Sequence, residues 1–595
     1  MTRALGPRPS ATHGAAGPWA VLAVCWGVIA VGAVGWAGVK TATVISRGTT
    51  ARFGMRFFED LLTGRTIEVW QHTPAFVVVL CVAAAYLLAS AVAVAGWRLV
   101  SRRWSAPGDP VAALGSNPQM TALGRPAVTR HAVRLRPSLR SVPAQNIADG
   151  DIGLALGTLT RPAGGGPALY ASWEDTLVSV MAPRSGKTTT AGIPFTLSAP
   201  GAVIATSNKA DVWAATAAIR AADNGRVWLF DPNKITRQAQ AWWWNPLAGL
   251  STVEDADRLA GHFVLTVADD KKRDLWGPAA QDLLAALFLA AASSGGSLDD
   301  VGQWLAEPAV PTPIELLSSA GFGAMATSLR GAQNGATETR DGIYQTARTA
   351  ARCLSDPGIM AWVTPEPLPC FSPARFADST GTLYLLSKSR SAAAPLIAAL
   401  TDTVMRAAEL RAEQMGGRLD PPLTVILDEA ANICRIADLP DLYSHLGSRG
   451  ITPVTILQSY EQGVTVWGEH GMGALWGAAT IKVIGAGIDS PRLTRDLATL
   501  TGQHDVPVRS VSYSDGKASE SLSLRRQDIL EPAAIRALPP GTALLLATGI
   551  KPALITLAPW YRGPRAAEIT ACRDDAENKI RRAAVTSARE WLDAA

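Results

Sequence analysis

The chain has 595 residues, 48% of them hydrophobic, and a formal net charge of +5. At about 150 residues per domain it holds three or four units, and its mild basicity permits polyanion binding without demanding it. Six scattered cysteines, Cys25, Cys81, Cys353, Cys370, Cys434 and Cys572, form no CxxC pair, which fits a reduced compartment and argues against a disulfide framework or a zinc site.

Two apolar runs near the N-terminus, 19–39 and 74–97, carry no charge. Each exceeds the roughly 20 residues that cross a bilayer's hydrocarbon core, and Trp19, Trp26, Trp36 and Trp97 are placed as interfacial aromatics are. Residues 1–104 are therefore expected to form a transmembrane region with spans over about 18–39 and 74–97. Arg98, Arg102 and Arg103 follow the second span, which puts the C-terminal part in the cytoplasm and makes this a multi-pass protein of the cytoplasmic membrane. Lys40, Arg47, Arg52, Arg56 and Arg65 between the spans oppose that orientation. Arg3 and Arg8 leave a cleaved signal peptide as the competing reading of the first run, after which the second span still returns the chain to the cytoplasm. Residues 105–149 are rich in Pro, Ala, Arg and Ser without a sustained period and are expected to be a basic linker. Its arginines, Arg125, Arg130, Arg134, Arg136 and Arg140, suit anionic headgroups or nucleic acid.

Next come an apolar run, Thr176-Leu-Val-Ser-Val180, the stretch Met181-Ala-Pro-Arg-Ser-Gly-Lys-Thr188, and residues able to start a helix to Leu197. A strand, a tight loop and a helix N-terminus make an anion site, because backbone N–H groups and the helix dipole both favour negative charge. Ala182, Pro183, Arg184, Ser185, Gly186, Lys187, Thr188 and Thr189 form the expected nucleotide-binding loop. Gly186 allows close approach, Lys187 reaches the β- and γ-phosphates of ATP, and Thr188 ligates Mg²⁺. Met181 replaces the first glycine of the usual GxxxxGK[ST] pattern.

Apolar runs at 202–207 and 227–231 flank an alanine-rich helical stretch, which signals a parallel α/β sheet. Residues 150–250 are thus the first part of a nucleotide-binding domain. Residues 253–294 read as helical throughout, and 251–365 as an all-α insertion. Strand signals resume over 366–563, at 381–386, 421–430, 453–458, 479–484, 542–547 and 553–558, the last pair placed to run side by side. Leu423-Thr-Val-Ile-Leu427 suits a buried parallel strand, and its C-terminal end is where such sheets bind ligands. Asp428 there is positioned to hold Mg²⁺ and Glu429 to orient or deprotonate a water. Residues 564–595 read as a helical tail of mixed charge. The fold class is α/β: a RecA-like P-loop NTPase sheet with an inserted all-α domain and an N-terminal two-helix transmembrane region.

Over roughly residues 150–563 the ordered pattern resembles the type IV secretion coupling proteins, the TraG- and TraD-like conjugation ATPases of the FtsK and HerA superfamily. The stretches that carry the likeness are Ala182-Pro-Arg-Ser-Gly-Lys187, Trp244-Asn-Pro-Leu247, Phe371-Ser-Pro-Ala-Arg-Phe376, Leu427-Asp-Glu-Ala430, Ile456-Leu-Gln-Ser459 and Leu538-Pro-Pro-Gly541. The resemblance implies that Gln458 is a γ-phosphate sensor and that Arg449 is an arginine finger offered to a neighbouring subunit. With Lys187 and Glu429 they complete the catalytic set. It further implies a homo-hexamer at the membrane using ATP and Mg²⁺, with DNA as partner, single-stranded and relaxase-bound, alongside relaxosome or secretion-channel proteins. Ser207-Asn-Lys-Ala-Asp211 lacks the Asp-Pro-Lys-Gly-Glu form often seen in the family, so the roles of Lys209 and Asp211 stay open. Rival readings are an FtsK-like double-stranded DNA translocase, a coupling ATPase for protein effectors, and a non-hydrolysing membrane scaffold.

Overall fold

The computed structural model describes residues 16–50, 52–65, 69–101, 110–161, 165–267, 276–514 and 517–594. It divides into two compact units, Met1–Ala106 and Pro107–Ala595.

The first unit is built on two apolar helices, Ala16–Ile45 and Ala75–Ser101, each long and apolar enough to cross a bilayer. The first outruns its expected end because Lys40 continues the helix and places its ammonium 4.9 Å from the Trp36 ring centroid, a cation–π contact that lets the charge stay on the helix. Gly38 lets the two helices meet: a Cβ there would lie 2.7 Å from the Val82 Cα. Arg3, Arg8, Arg102 and Arg103, on which the orientation and signal-peptide readings rest, lie outside the described residues, as do residues 105–109.

The second unit is organised by an eleven-stranded sheet, its strands numbered here in chain order. They are β1 Gly153–Leu159, β2 Ala168–Ser172, β3 Leu177–Val180, β4 Val203–Ser207, β5 Val227–Phe230, β6 Thr382–Leu386, β7 Leu423–Asp428, β8 Ile451–Leu457, β9 Ile481–Ile484, β10 Thr542–Ala547 and β11 Ala553–Thr556. Their spatial order is β2-β1-β11-β10-β9-β3-β8-β7-β4-β6-β5. From β9 to β5 every pairing is parallel, and from β9 to β2 every pairing is antiparallel. Strands β3, β4, β6, β7 and β8 are buried at every position, as a parallel sheet covered on both faces requires. The neighbouring β10 and β11 pair as their spacing implied. Strands β1 and β2 gave no usable sequence signal, because Gly153, Gly157 and a bulge near Ala155 break their alternation. A second sheet is a two-stranded hairpin, Gln503–Ser514 with Lys517–Asp528.

Two expectations need correction. Residues 110–149 are folded rather than a linker: helix Arg125–Leu135 buries Val128 and Ala132 with Leu139, Ile147, Ile152 and Tyr170. Arg136, buried, pairs with Asp151 at 2.9 Å and Asp420 at 3.0 Å, so it is a structural cation. The few apolar side chains of this stretch are too widely spaced among Arg and Pro to show a period. The 253–294 run is two helices, Val253–Val264 and Gly277–Ser294; Gly277-Pro278 starts the second, since proline suits a first helical turn but not an interior.

Among the described residues, helices from Val253 to Ala350 and no strand fill the segment between β5 and β6. Its neck is closed by an isolated parallel bridge between Trp243 and Cys370 and by Trp228, Phe230, Trp242, Trp362 and Phe371, whose rings stand 5.0–6.0 Å apart. The C-terminal helix, Ala566–Ala594, rests its first turns on helix Asp211–Asn224 through Ile569 and Ile219.

Arg220, 1% exposed, braces the starts of β4 and β6. Its guanidinium donates to Thr382 Oγ1 (2.7 Å) and to the carbonyls of Ala199 (2.7 Å), Gly201 (2.9 Å) and Thr380 (3.0 Å). Arg220→Met keeps much of the volume and strands the buried carbonyls of Ala199 and Gly201, so it is expected to destabilise the fold by about 3–5 kcal/mol. A thermal melt of the purified chain unchanged from wild type would refute this role.

Candidate functional site

The site forms where β3, β8, β7 and β4 end together. Ile456 is level with Ser179 and with Asp428, and Thr206 is level with Leu427. Parallel register therefore brings the loop after β3 against the acidic end of β7, at the carboxyl edge where such sheets bind ligands.

The loop is bent at two left-handed residues, Arg184 (φ 64°) and Gly186 (φ 96°). Ser185 Oγ donates to the Ala182 carbonyl at 2.6 Å, and Thr189 and Thr190 hydroxyls donate to the Gly186 carbonyl at 2.9 Å. Lys187 opens the helical segment that follows. Its first turn, Thr188–Gly192, is π-helical and leads into helix Ile193–Ser198, because Pro194 has no N–H to give to Thr190. Met181 is buried, with its N–H on the Leu457 carbonyl at 3.0 Å. Its side chain takes the space where a Cβ on Gly485 would sit, 2.7 Å from Met181 Cγ. The missing loop glycine is thus matched by a glycine on the neighbouring strand's exit. A cavity of about 500 Å³ adjoins the loop, lined in part by Ala182, Pro183, Gln458, Gln462 and Ser490.

Glu429 is the hub. It is 6% exposed and held in the left-handed region at φ 58°, a conformation uncommon outside glycine that marks functional turns. Lys187 Nζ donates to its Oε1. Gln458 Nε2 reaches Oε1 at 2.6 Å and Oε2 at 2.7 Å, and Asn432 Nδ2 reaches Oε2 at 2.5 Å. Burial pushes the Glu429 carboxyl up, but hydrogen bonds from Lys187, Gln458 and Asn432 outweigh it and hold it below the ordinary range.

Asp428 behaves oppositely. Burial, with the charges of Glu429 and Asp211 adding to it, raises its carboxyl to about 6 against the pull of Lys187. Thr188 Oγ1 faces Asp428 Oδ2 at 3.4 Å. The donor set fits Mg²⁺, which keeps several waters and takes one or two protein oxygens beside phosphates. Among the described residues no group of three or more His, Cys, Asp or Glu could hold a metal by itself.

Lys187, Thr188, Asp428, Glu429 and Gln458 come together, and Ala182–Thr189 lie beside them. Arg449 does not. It ends the turn Leu446–Arg449 before β8, roughly 20–25 Å from Gln458 at the other end of that strand, and pairs with Glu413 (2.8 Å) and Glu409 (3.8 Å). Asn432 was missed; its spacing of three from Glu429 on a helical turn was the available signal. Thr206, whose hydroxyl donates to the Asp428 carbonyl at 2.8 Å, carried none.

Strand, bent loop, helix and facing acidic strand define a phosphate-loop protein with a RecA-like sheet and an inserted helical segment. Residues 422–540 match the family described as the TraM recognition site of TraD and TraG, which bears out the likeness to the type IV secretion coupling proteins. Among solved structures the chain is similar to the unbound bacterial conjugative coupling protein TrwBdeltaN70, at 18% identity, covering 72% of this chain and 91% of that one, with a TM-score of 0.48. It is also similar to the plasmid coupling protein TrwB in complex with ADP and Mg²⁺ (18%, 68% and 89%, 0.45) and to VirB4 of Thermoanaerobacter pseudethanolicus (13%, 70% and 98%, 0.40). No curated protein matches the sequence.

The raised Asp428 carboxyl has a signed consequence. Its folded value of about 6 exceeds the unfolded value of about 3.9, so holding it ionised costs nothing below pH 4 and the full amount above pH 6. In magnesium-free protein, Asp428→Asn is expected to be more stable than wild type at pH 7.5 by about 1–3 kcal/mol, with the gap shrinking towards pH 5. Denaturant titrations at both pH values test it, and a gap that does not vary with pH would be inconsistent with the assignment.

Proposed function

We propose that this chain is a membrane-anchored ATPase that couples ATP hydrolysis to recruiting and moving DNA, a relaxase-bound single strand, into a type IV secretion channel. The observation that carries the reading is Glu429 fixed between Lys187, Gln458 and Asn432 at the end of β7, inside the stretch that matches the TraD and TraG family.

The residues divide the chemistry. Backbone N–H groups of residues 182–189 cradle the phosphates, and Lys187 takes the β- and γ-oxygens. Thr188 and Asp428 hold Mg²⁺, which neutralises charge on the phosphates. Glu429, kept ionised by its donors, accepts a hydrogen bond from the attacking water. Gln458 touches both Glu429 oxygens, so a γ-phosphate that draws its amide away changes the carboxylate's setting and reports nucleotide state along β8. Arg449 cannot reach this site within its own chain. A ring of six, with Arg449 facing the neighbour's nucleotide, gives it a partner, and Glu413 and Glu409 then set its direction. The two apolar helices anchor the ring at the cytoplasmic membrane, with relaxosome and channel proteins as its partners.

ATP hydrolysis by residues 105–595 is expected to rise with single-stranded DNA and to vanish in Lys187→Ala. Stimulation by neither single- nor double-stranded DNA would sink the translocase reading, and stimulation by duplex alone would favour the FtsK-like rival. Arg449→Ala is expected to lower turnover on the order of 10³-fold with little change in nucleotide affinity. If mixing Arg449→Ala with Lys187→Ala chains restored no activity, the finger would not act between subunits.

A further inference from the structure

Strands β7, β4, β6 and β5 run parallel and end level. Thr206 lies opposite Leu427, Ser207 opposite Leu386 and Phe230 opposite Leu385. With strands about 4.8 Å apart, the four loops that follow form one rim, continuous with the end of β7 that carries Asp428 and Glu429.

Each loop brings a cation to that rim. Lys209 follows β4, Lys234 and Arg237 follow β5, Lys388 and Arg390 follow β6, and Arg435 follows β7 by way of the short helix Ala430–Ile433. Lys209, Lys234, Arg237, Lys388 and Arg390 are exposed and Arg435 is half-buried. None of the six makes an ion pair among the described residues. The rim's own acids are already engaged. Asp231 is buried and accepts from the N–H groups of Ile235 and Thr236 and from the Thr236 hydroxyl at 2.7–2.8 Å. Asp211 Oδ1 accepts from the Val212 N–H at 2.9 Å and the Ser207 hydroxyl at 3.3 Å.

The loops are built rather than slack. Asn233 Oδ1 accepts from the Lys388 N–H at 3.0 Å and the Ser387 hydroxyl at 3.2 Å, tying the β5 loop to the β6 loop. Lys234 (φ 51°), Arg237 (φ 56°) and Arg390 (φ 61°) sit in the left-handed region, where a non-glycine residue is unusual and points to a functional constraint. Arg435 Nε donates to the Ala431 carbonyl at 2.8 Å and Nη1 faces the Leu265 carbonyl at 3.5 Å, so neutral acceptors orient its guanidinium, while burial and then the Arg390 charge disfavour its charged form. Neither Arg390 nor Arg435 has a carboxylate partner among the described residues, so an external anion would supply the counter-charge.

We propose that this rim is the track for a nucleic-acid phosphate backbone, gripped without regard to sequence by Lys209, Lys234, Arg237, Lys388, Arg390 and Arg435. The proposal rests on the DNA-moving function above and deepens it by naming the surface that holds the strand. Multiple point charges along one edge suit backbone contact. Arg435 lies six residues beyond Glu429, so the track begins beside the hydrolysis site.

The test uses the full chain in detergent, fluorescently labelled oligo(dT) as probe, and binding isotherms across 50–200 mM salt. One variant is Lys388→Gln with Arg390→Asn, and a second is Lys234→Asn with Arg237→Asn, asparagine being tolerant of the left-handed conformation. Arg581→Gln with Arg582→Gln on the exposed C-terminal helix is the charge-matched control. Each rim variant is expected to bind roughly 10-fold more weakly at 0.1 M salt and to flatten the salt slope by about 1.4, with wild-type binding of a fluorescent ATP analogue and a wild-type melting temperature. The control should match wild type. Undiminished affinity and slope in both rim variants, with wild type binding oligo(dT), overturns the track alone. Lost ATP-analogue binding in folded variants overturns it too, by assigning the cations to nucleotide phosphates. Failure of wild type to bind oligo(dT) or duplex removes the DNA function and the track together.

Discussion

The contact on which the rest of the site depends is the ion pair between Lys187 and Glu429, which joins loops 242 residues apart in sequence. Both partners are nearly buried, at 11% and 5% side-chain exposure, so their attraction is little screened and their desolvation is costly. Such a pair is stable only while its remaining valences are met. Gln458 and Asn432 meet them for Glu429, and the parallel register of β3, β8 and β7 places all four side chains within reach. A phosphate that recruits Lys187 therefore cannot act locally. In the proposed mechanism it removes one donor from a buried carboxylate and leaves the amides of Gln458, after β8, and Asn432, on the helix after β7, as the donors that remain.

That dependence explains what the sequence could and could not reveal. Glycine, lysine and hydroxyl side chains at the loop, and a hydrophobic run closed by two carboxylates, are local patterns with local chemistry, so the loop and β7 were legible. So were the strands β3, β4, β6, β7 and β8, because burial on both faces writes them as largely apolar runs. The antiparallel strands β1 and β2 were not, since glycines and a bulge erase their period. The folded region from 110 to 149 was hidden because its stability comes from a few side chains, such as Arg136 on Asp420, whose partners are far away in the chain. The opposite shifts of the Asp428 and Glu429 carboxyls were also out of reach. Adjacent acids in sequence look equivalent; only the three donors converging on one of them separate the pair.

Met181 shows how a departure from a motif is absorbed. The usual glycine leaves room at the start of the loop, and here the room is made across the sheet at Gly485 instead. Gly186 to Thr188, the proposed phosphate contacts, keep their places because the methionine packs into the core. A sequence pattern read strictly would discard this chain. The physical requirement, space for a tight turn beside an exposed backbone, is satisfied by a different residue.

The two edges of the parallel block carry opposite electrostatic designs, and that asymmetry bears on how a ring could work. At the carboxyl edge the cations past β7 stand without acidic partners, and the one lysine that has a partner, Lys187, shares it with neutral donors that can take over. At the amino edge Arg449 is clamped by Glu409 and Glu413 on helix Ala394–Gln414. A cation held by two carboxylates is directed rather than available, which suits a group that must meet a neighbour's nucleotide at a fixed angle. Unpartnered cations on a braced rim suit an anion that slides. Strand β8 connects the edges, with Arg449 before its first residue and Gln458 after its last. In the proposed ring, nucleotide state sensed at Gln458 is thereby one rigid strand away from the finger presented to the next subunit, and no hinge is needed between them.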